Sequence, residues 1–348
     1  PMCPSSMPRS LPTPTARGSR MAQTTPPGLA LWCLTPNGVQ QALHLAASIP
    51  GVSCLFQENE AVVERFHSLA AVGLTVQPQW FSRLRTAVDE QFAAHRGHVF
   101  FMSTGIVVRM IAPHLKHKSE DPAVVVVDDQ GQHAISLLSG HLGGANALTL
   151  EVAQLLGAKP VITTATDVNR VPAIDVLASE KGLQIVDPSR IKAINMALLT
   201  GRRVGVYDLE GLLLPSLDQA FFYPLALEEL SEDQPKVYVG ERIIATGEQT
   251  LVLCPRVLTA GMGCNRDTDE AEMKALLMQV LEEHGLYPQA LEQLASVDIK
   301  VDEVGLLALG ESLGLPLVFF PREQLKEVEG VQSPSKMVEK HIGVQSVC

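Results

Sequence analysis

No apolar run in this 348-residue chain reaches the roughly 18–20 residues that a bilayer-spanning helix needs. Its six cysteines, Cys3, Cys33, Cys54, Cys254, Cys264 and Cys348, form no CxxC pair. That removes the usual dithiol and thiol–metal spacings, and in a chain this long it fits free thiols in a reducing cytoplasm. Neither GxGxxG nor GxxxxGK[ST] occurs, so a nucleotide site would lack its phosphate-cradling loop. A cationic surplus is also missing. With 38 acidic against 27 basic residues and a net charge of -11, general affinity for nucleic acid or an anionic membrane surface is not expected. No repeat of solenoid length is present.

What remains is 46% hydrophobic and 19% charged, enough to bury sizeable cores. The opening "PMCPSSMPRSLPTPTARGSR" has no apolar h-region and does not read as a secretory signal. Met21 reads as a natural start, so residues 1–27 are expected to be a disordered or cloning-derived lead. The chain stops at "VQSVC" after a helical pattern with no closing strand, which reads as a C-terminal shortening.

From Leu29 onward, short β-rich runs alternate with helical ones. "LALWCLT", "VSCLF", "HVFFM", "AVVVVD" and "PVITTA" read as strands. "HAISLL" reads as another, paired to "AVVVVD" as a hairpin through Asp129-Gln130-Gly131. Helices are expected over 80–95, 104–115 and 144–157. The pattern predicts an α/β fold with a mostly parallel sheet, helices on both faces, over 28–168. A mixed α/β middle region is expected over 169–255 and a smaller α/β domain over 256–348.

Three strand ends carry polar groups. Ser103, Thr104 and Gly105 open a helix after "HVFFM", a turn suited to an anion or to nothing more than a cap. Arg109 is the lone cation of that apolar helix and needs a partner, a ligand carboxylate or Asp128. Between Glu90 and Glu120 there is no acid, while Arg96, Arg109, Lys116, Lys118 and four histidines fall there. Such a run gathers anionic ligand locally, or is a solvated face. His114 and His117 lack a third metal ligand at convincing spacing.

"SLLSGHLGGAN" is the second strand end. Gly140, Gly143 and Gly144 would let a bulky ligand lie against the backbone, with Ser139 and Asn146 beside it. His141 is then a titratable group at the rim. A helix cap holding a satisfied histidine is the plainer alternative. The third end, "TTATDVNRVPAID", brings Thr164, Thr166 and Asp167. In the last domain Gly263, Cys264 and Arg266 follow a strand, with Lys300 at a further strand-to-helix passage. Cys264 is either a nucleophile of lowered pKa or an inert thiol, and Asp267 with Glu270 fits a capping box.

The stretches "STGIVVRMIAPHLKHKSEDPAVVVVDDQGQHAISLLSGHLGGANALT", "TTATDVN", "GMGCNRDTDEAE", "SVDIKVDEVGLLAL" and "PSKMVEKHIGVQSVC" together resemble the CbiG family, the cobalt-precorrin-5A hydrolases of anaerobic cobalamin biosynthesis. The resemblance runs from Leu29 to Cys348 and is weakest in the middle. It implies a carboxylate-rich cobalt tetrapyrrole as substrate, whose δ-lactone is opened by water with loss of acetaldehyde. It also implies no protein-held metal or other cofactor, since cobalt arrives in the substrate, and it allows transient contact with neighbouring enzymes of the pathway. On that reading His141 activates water or shuttles a proton, and Asp128 or Asp167 orients it. Ser139 and the glycine amides stabilise an oxyanion, and Arg109, Lys116 and Lys300 hold peripheral carboxylates. A non-catalytic tetrapyrrole carrier or assembly protein is the alternative.

Overall fold

Alternation along buried strands sets the architecture. In β1 (Leu29–Cys33), β4 (Gly97–Phe101) and β5 (Ala123–Val127) every residue is buried. Successive side chains point to opposite faces, so both faces of this sheet must be covered. Leu31, Cys33, Val99, Phe101, Val125 and Val127 pack on one side against α1 (Pro36–Ser48), α2 (Glu60–Ala70) and α5 (Ala145–Leu156). Trp32, Phe100, Val124 and Val126 pack on the other against α3 (Leu84–Gln91) and α4 (Thr104–Ile111).

The computed structural model describes residues 28–70, 76–117, 120–328, 331, 334–343 and 346. The expected lead over 1–27 lies outside them, as do Cys348 and Lys118. Two compact units divide the described chain, one running to Arg256 and one beginning at Val257.

In the first unit a seven-stranded sheet has the order β3-β2-β1-β4-β5-β6-β7, where β2 is Ser53–Gln57, β3 Gln79–Phe81, β6 His133–Leu138 and β7 Lys159–Val161. β5 and β6 pair antiparallel and all other neighbours are parallel. The expected hairpin therefore forms. Two expectations move. Trp80 and Phe81 start no helix but form the edge strand β3, pairing beside Phe56. The helix expected over 104–115 ends at Ile111, and a short 3-10 turn carries Pro113, which has no amide to continue the ladder.

After α6 (Ala165–Val168) the same unit continues into α7 (Ile174–Glu180) and α8 (Ile191–Leu199). These pack on a five-stranded sheet of order β10-β9-β11-β12-β8. Its strands are β8 Gln184–Ile185, β9 Val204–Asp208, β10 Phe222–Pro224, β11 Lys236–Val239 and β12 Thr250–Cys254, with β8 antiparallel to β12.

The second unit is a parallel three-stranded sheet of β13 (Leu258–Gly261), β14 (Leu291–Val297) and β15 (Leu317–Phe320), with β14 in the middle. Its core joins α9 (Glu270–Glu283) and α10 (Val304–Leu313) to the sheet. The expected capping box is absent. Asp269 is the N-cap residue of α9, while Asp267 adopts φ +60° and its amide donates to Glu303 at 2.7 Å. No described helix is long and apolar enough to cross a membrane.

Candidate active site

The β5–β6 hairpin decides which strand ends can meet. Leu138, at the carboxyl end of β6, pairs with Val124 near the start of β5, and Val124 is level with His98 in β4. The turn after β6 therefore stands at the edge where β4 begins. Thr104 and Gly105, which follow the carboxyl end of β4, stand at the opposite edge. β7 runs parallel to β6, so Thr164 and Asp167 return to the side of His141. Of the three strand ends, two converge and the first does not.

At the converging edge the turn is held by its own groups. The amides of Gly144, Ala145 and Asn146 donate to the carbonyls of His141, Ser139 and Gly140 at 2.8–3.0 Å. A side chain on Gly143 would meet Ser139, whose carbonyl oxygen would lie 2.8 Å from the added carbon. One on Gly140 would meet the Asn146 amide at 2.9 Å. Gly140 and Gly143 thus serve the packing of the turn itself against Asn146 and Ser139. Ser139 holds φ +58°, a left-handed conformation costing a non-glycine residue about 1–3 kcal/mol. Its buried Oγ has no hydrogen-bond partner among the described residues.

Asn146, 7% exposed, ties the edge together. It accepts from Ser136 Oγ at 2.7 Å and donates to Thr164 Oγ1 at 2.9 Å and Asp167 Oδ2 at 3.1 Å. Asp167 also accepts a short bond from Thr164.

His141 sits between two carboxylates. Its Nε2 is 2.9 Å from Asp167 Oδ2 and 3.1 Å from Thr166 Oγ1, and its Nδ1 is 3.5 Å from Asp175 Oδ2. Asp175, in α7, is 4% exposed and receives Asn195 of α8 at 3.4 Å. The Asp175 carboxylate above all, against partial burial and with help from Asp167, pushes the imidazole up to about 9. Burial would raise both carboxyls, yet the imidazolium outweighs it for Asp175, and Thr164 with the imidazolium outweighs it for Asp167. Both end below the ordinary range. At neutral pH His141 is a cation. It is poised to give a proton, which suits the shuttling of a proton more than the activation of water.

A pocket of about 360 Å³ opens over this group. Ser139, Gly140, His141, Leu142, Thr164 and Thr166 line it from the sheet edge, and Asp175, Lys192, Asn195 and Met196 from α7 and α8. A larger hollow of about 760 Å³ lies between α1, the β5–β6 turn and the end of α5. Its carboxylate, Asp129, is already taken by Thr35 Oγ1 at 2.6 Å and Asn37 Nδ2 at 2.9 Å, and its imidazole, His44, has Nε2 3.1 Å from the Leu155 carbonyl, so the unspent titratable chemistry belongs to the smaller pocket.

Several candidates stand elsewhere. Asp128 does not reach His141. Although burial opposes it, the amides of Gln132, His133 and Gln130 hold its carboxyl below the ordinary range, closing the hairpin turn. Arg109 is exposed and folds back onto its own helix, donating to the Gly105 carbonyl at 2.9 Å. Its partner is therefore neither Asp128 nor a group of the pocket. Lys116 lies in the loop before β5, where its amide donates to Asp121 at 2.9 Å. That is the His141 edge, though Lys116 does not line the pocket. The basic run also thins. His98 is a core residue whose Nδ1 accepts from Trp32 Nε1 at 3.1 Å and whose Nε2 lies 3.0 Å from the Phe92 carbonyl. Burial lowers it to about 4, so it is neutral. His114 pairs with Asp89 at 2.8 Å. No cluster of three or more metal-ligating side chains occurs among the described residues.

Within the second unit, Lys300 is 7% exposed and bonds Glu303 at 3.2 Å. Arg266 takes Asp302 at 2.7 Å and Glu303 at 3.4 Å. Both cations are committed to internal partners. Burial raises the thiol of Cys264, opposite to the lowering expected of a nucleophile, and Cys264 with Gly263 precedes α9 by a loop.

The sequence reading missed Asp175, Lys192, Asn195 and Met196. A signal existed for the first. Asp175 is a lone acid in the apolar run "VPAIDVLA", and a buried charge of that kind demands a partner.

Comparison with known proteins finds family profiles that follow one another from residue 86 to residue 348. Residues 86–167 match the family profile Cobalamin synthesis G N-terminal, 172–255 match Cobalamin biosynthesis central region, and 258–348 match Cobalamin synthesis G C-terminus. Cobalt-precorrin-5A hydrolase of Salmonella typhimurium is 37% identical over 94% of this chain and 91% of its own. The protein of that name from Priestia megaterium is 30% identical over 91% of this chain and 86% of its own. Protein CobE of a Sinorhizobium species is 31% identical across 26% of this chain and 59% of its own. With its described strand-end turns, its central region and its last domain all matched in order, the chain belongs to the CbiG family.

Proposed function

We propose that this chain is a cobalt-precorrin-5A hydrolase of cobalamin biosynthesis, and that its chemistry is carried by His141 held between Asp167 and Asp175. The 37% identity to a hydrolase of that name over 94% of the chain supports the reaction. The single observation that carries the site is the imidazole bracketed by two carboxylates at the 360 Å³ pocket.

Water adds to the lactone carbonyl with loss of one proton to solvent, and the oxyanion so formed faces the turn, where the amides from Gly140 to Gly143 make no bond to the described backbone. The ester C–O bond then breaks, and the departing ring oxygen takes the proton of the His141 imidazolium. The new carboxyl loses its own proton to solvent. His141, now neutral, accepts the proton of the freed hydroxyl. That oxygen becomes the carbonyl of acetaldehyde as the carbon–carbon bond breaks, and the bonding pair passes into the conjugated macrocycle. Asp167 and Asp175 keep the ring oriented through both steps and stabilise its charged form. In this reading cobalt enters with the substrate, and the chain itself supplies acid–base groups and no resident cofactor.

The test is anaerobic release of acetaldehyde from purified substrate. Wild-type protein is expected to release it, whereas a carrier would bind the macrocycle and release nothing. His141→Ala is expected to slow turnover by about 100-fold while still binding substrate. A rate within about threefold of wild type removes His141 from the chemistry.

A further inference from the structure

The pocket borrows much of its wall from α8, and the helix carries more apolar surface than its own core uses. Ile191, Ile194, Ala197 and Leu198 bury α8 against the five-stranded sheet. Lys192, Asn195, Met196 and Leu199, spaced i, i+3, i+4, i+7, line the pocket. Met196 is 48% exposed, and Leu142 on the glycine turn is 36% exposed beside the same opening. Lys192 is exposed and has no ion-pair partner among the described residues, although Asp175 shares the pocket lining.

We propose that this face of α8 docks the macrocycle: Lys192 pairs with a peripheral carboxylate while Met196 and Leu199 cover the flat apolar ring. The proposal rests on the tetrapyrrole reading above. A pocket of about 360 Å³ is at the small end of the ~300–1,000 Å³ that enclose drug-sized ligands. It admits one edge of such a ring beside His141, and the remainder must lie against the side chains at the mouth. Leu142 and Met196 are apolar there, and a thioether adapts to an irregular ring surface. A free ammonium on a flexible stem suits carboxylates spread round a periphery. Asn195, whose amide reaches Asp175 at 3.4 Å, links the docking face to the orientation of His141. The central region thereby acts as a substrate-binding wall and not as a spacer.

The test measures KM for acetaldehyde release and, separately, the Kd of the macrocycle from its visible absorption under anaerobic conditions. Lys192→Glu and Met196→Glu are each expected to raise both constants about tenfold or more. Lys181→Glu, the same charge change on the exposed far end of α7, is expected to leave them within about twofold. The contribution of Lys192 should also weaken as salt rises. If Lys192→Glu and Met196→Glu keep Kd within about twofold of wild type, the docking face is wrong even where acetaldehyde is released. If wild type binds tightly but releases no acetaldehyde, the hydrolase reading fails, and the Kd values still judge the docking face. A wild type that binds no macrocycle overturns both.

Discussion

The Asp175 carboxylate lies 3.5 Å from Nδ1 of His141, yet the two belong to modules with separate cores, one built on the seven-stranded sheet and the other on the five-stranded one. Asp167 takes the other ring nitrogen at 2.9 Å. A ring with both nitrogens facing carboxylates keeps its proton to higher pH than an isolated histidine does.

Turnover that needs the His141 proton should therefore fall as pH rises through about 9. In Asp175→Asn the largest support for the charged ring is gone, and the fall should move about one pH unit or more lower. Profiles of kcat against pH for the two proteins check this. An unmoved alkaline limb would mean that Asp175 does not hold the proton on His141.

The same cluster sets a pH window for stability. His141 has a raised folded pKa, so its contribution is complete below the unfolded value near 6.5 and is lost as pH climbs through about 9. Asp167 and Asp175 have lowered values, so theirs is complete above the ordinary carboxyl range and is lost as pH falls below it. His141→Gln should therefore destabilise most between about pH 4 and 6.5 and least above about pH 9.5. Denaturant midpoints of both proteins at pH 6 and pH 10 give the comparison.

His98 predicts an opposite trend on the acid side. Neutral in the core down to about 4, it binds a proton between about 6.5 and 4 only when the chain unfolds. Stability should therefore decline as pH drops through that interval. His98→Leu should abolish this part of the decline while leaving Trp32 Nε1 and the Phe92 carbonyl without partners. Two such orphans cost about 2–5 kcal/mol at neutral pH, readable from urea titration.

Gly143→Ala forces a methyl group against Ser139. The turn must open to accept it, at about 1–3 kcal/mol, and the position of His141 changes with it. Activity should drop about tenfold or more, whereas Gly28→Ala, where the added carbon meets nothing, should not alter it. Equal rates for the two variants would count against the turn's role.

Much of this was legible in the chain. β-Rich runs and the Asp129-Gln130-Gly131 turn marked β5 and β6 correctly, because alternation and turn chemistry are local properties. The hairpin's consequence for the strand ends is not local. A reversed strand sends its carboxyl end to the other edge, so Thr104 and Arg109 part from His141 although all three follow strands. Pairing direction is a property of two segments together, and no single stretch displays it. Lys300 reads as a ligand cation although Glu303, its partner, lies only three residues on, whereas Arg266 meets Asp302 and Glu303 only in the folded unit. Asp175 is not found from strand ends, because it stands inside a helix whose importance comes from its neighbour across the seam.

That seam has a practical consequence. Parting the two modules there would withdraw Asp175, Lys192 and Met196 while leaving the strands around Trp32 intact. Parting the seam with both cores intact should then silence the enzyme while its far-ultraviolet dichroism stays unchanged. The protein would lose its chemistry by coming unbuttoned, not by melting.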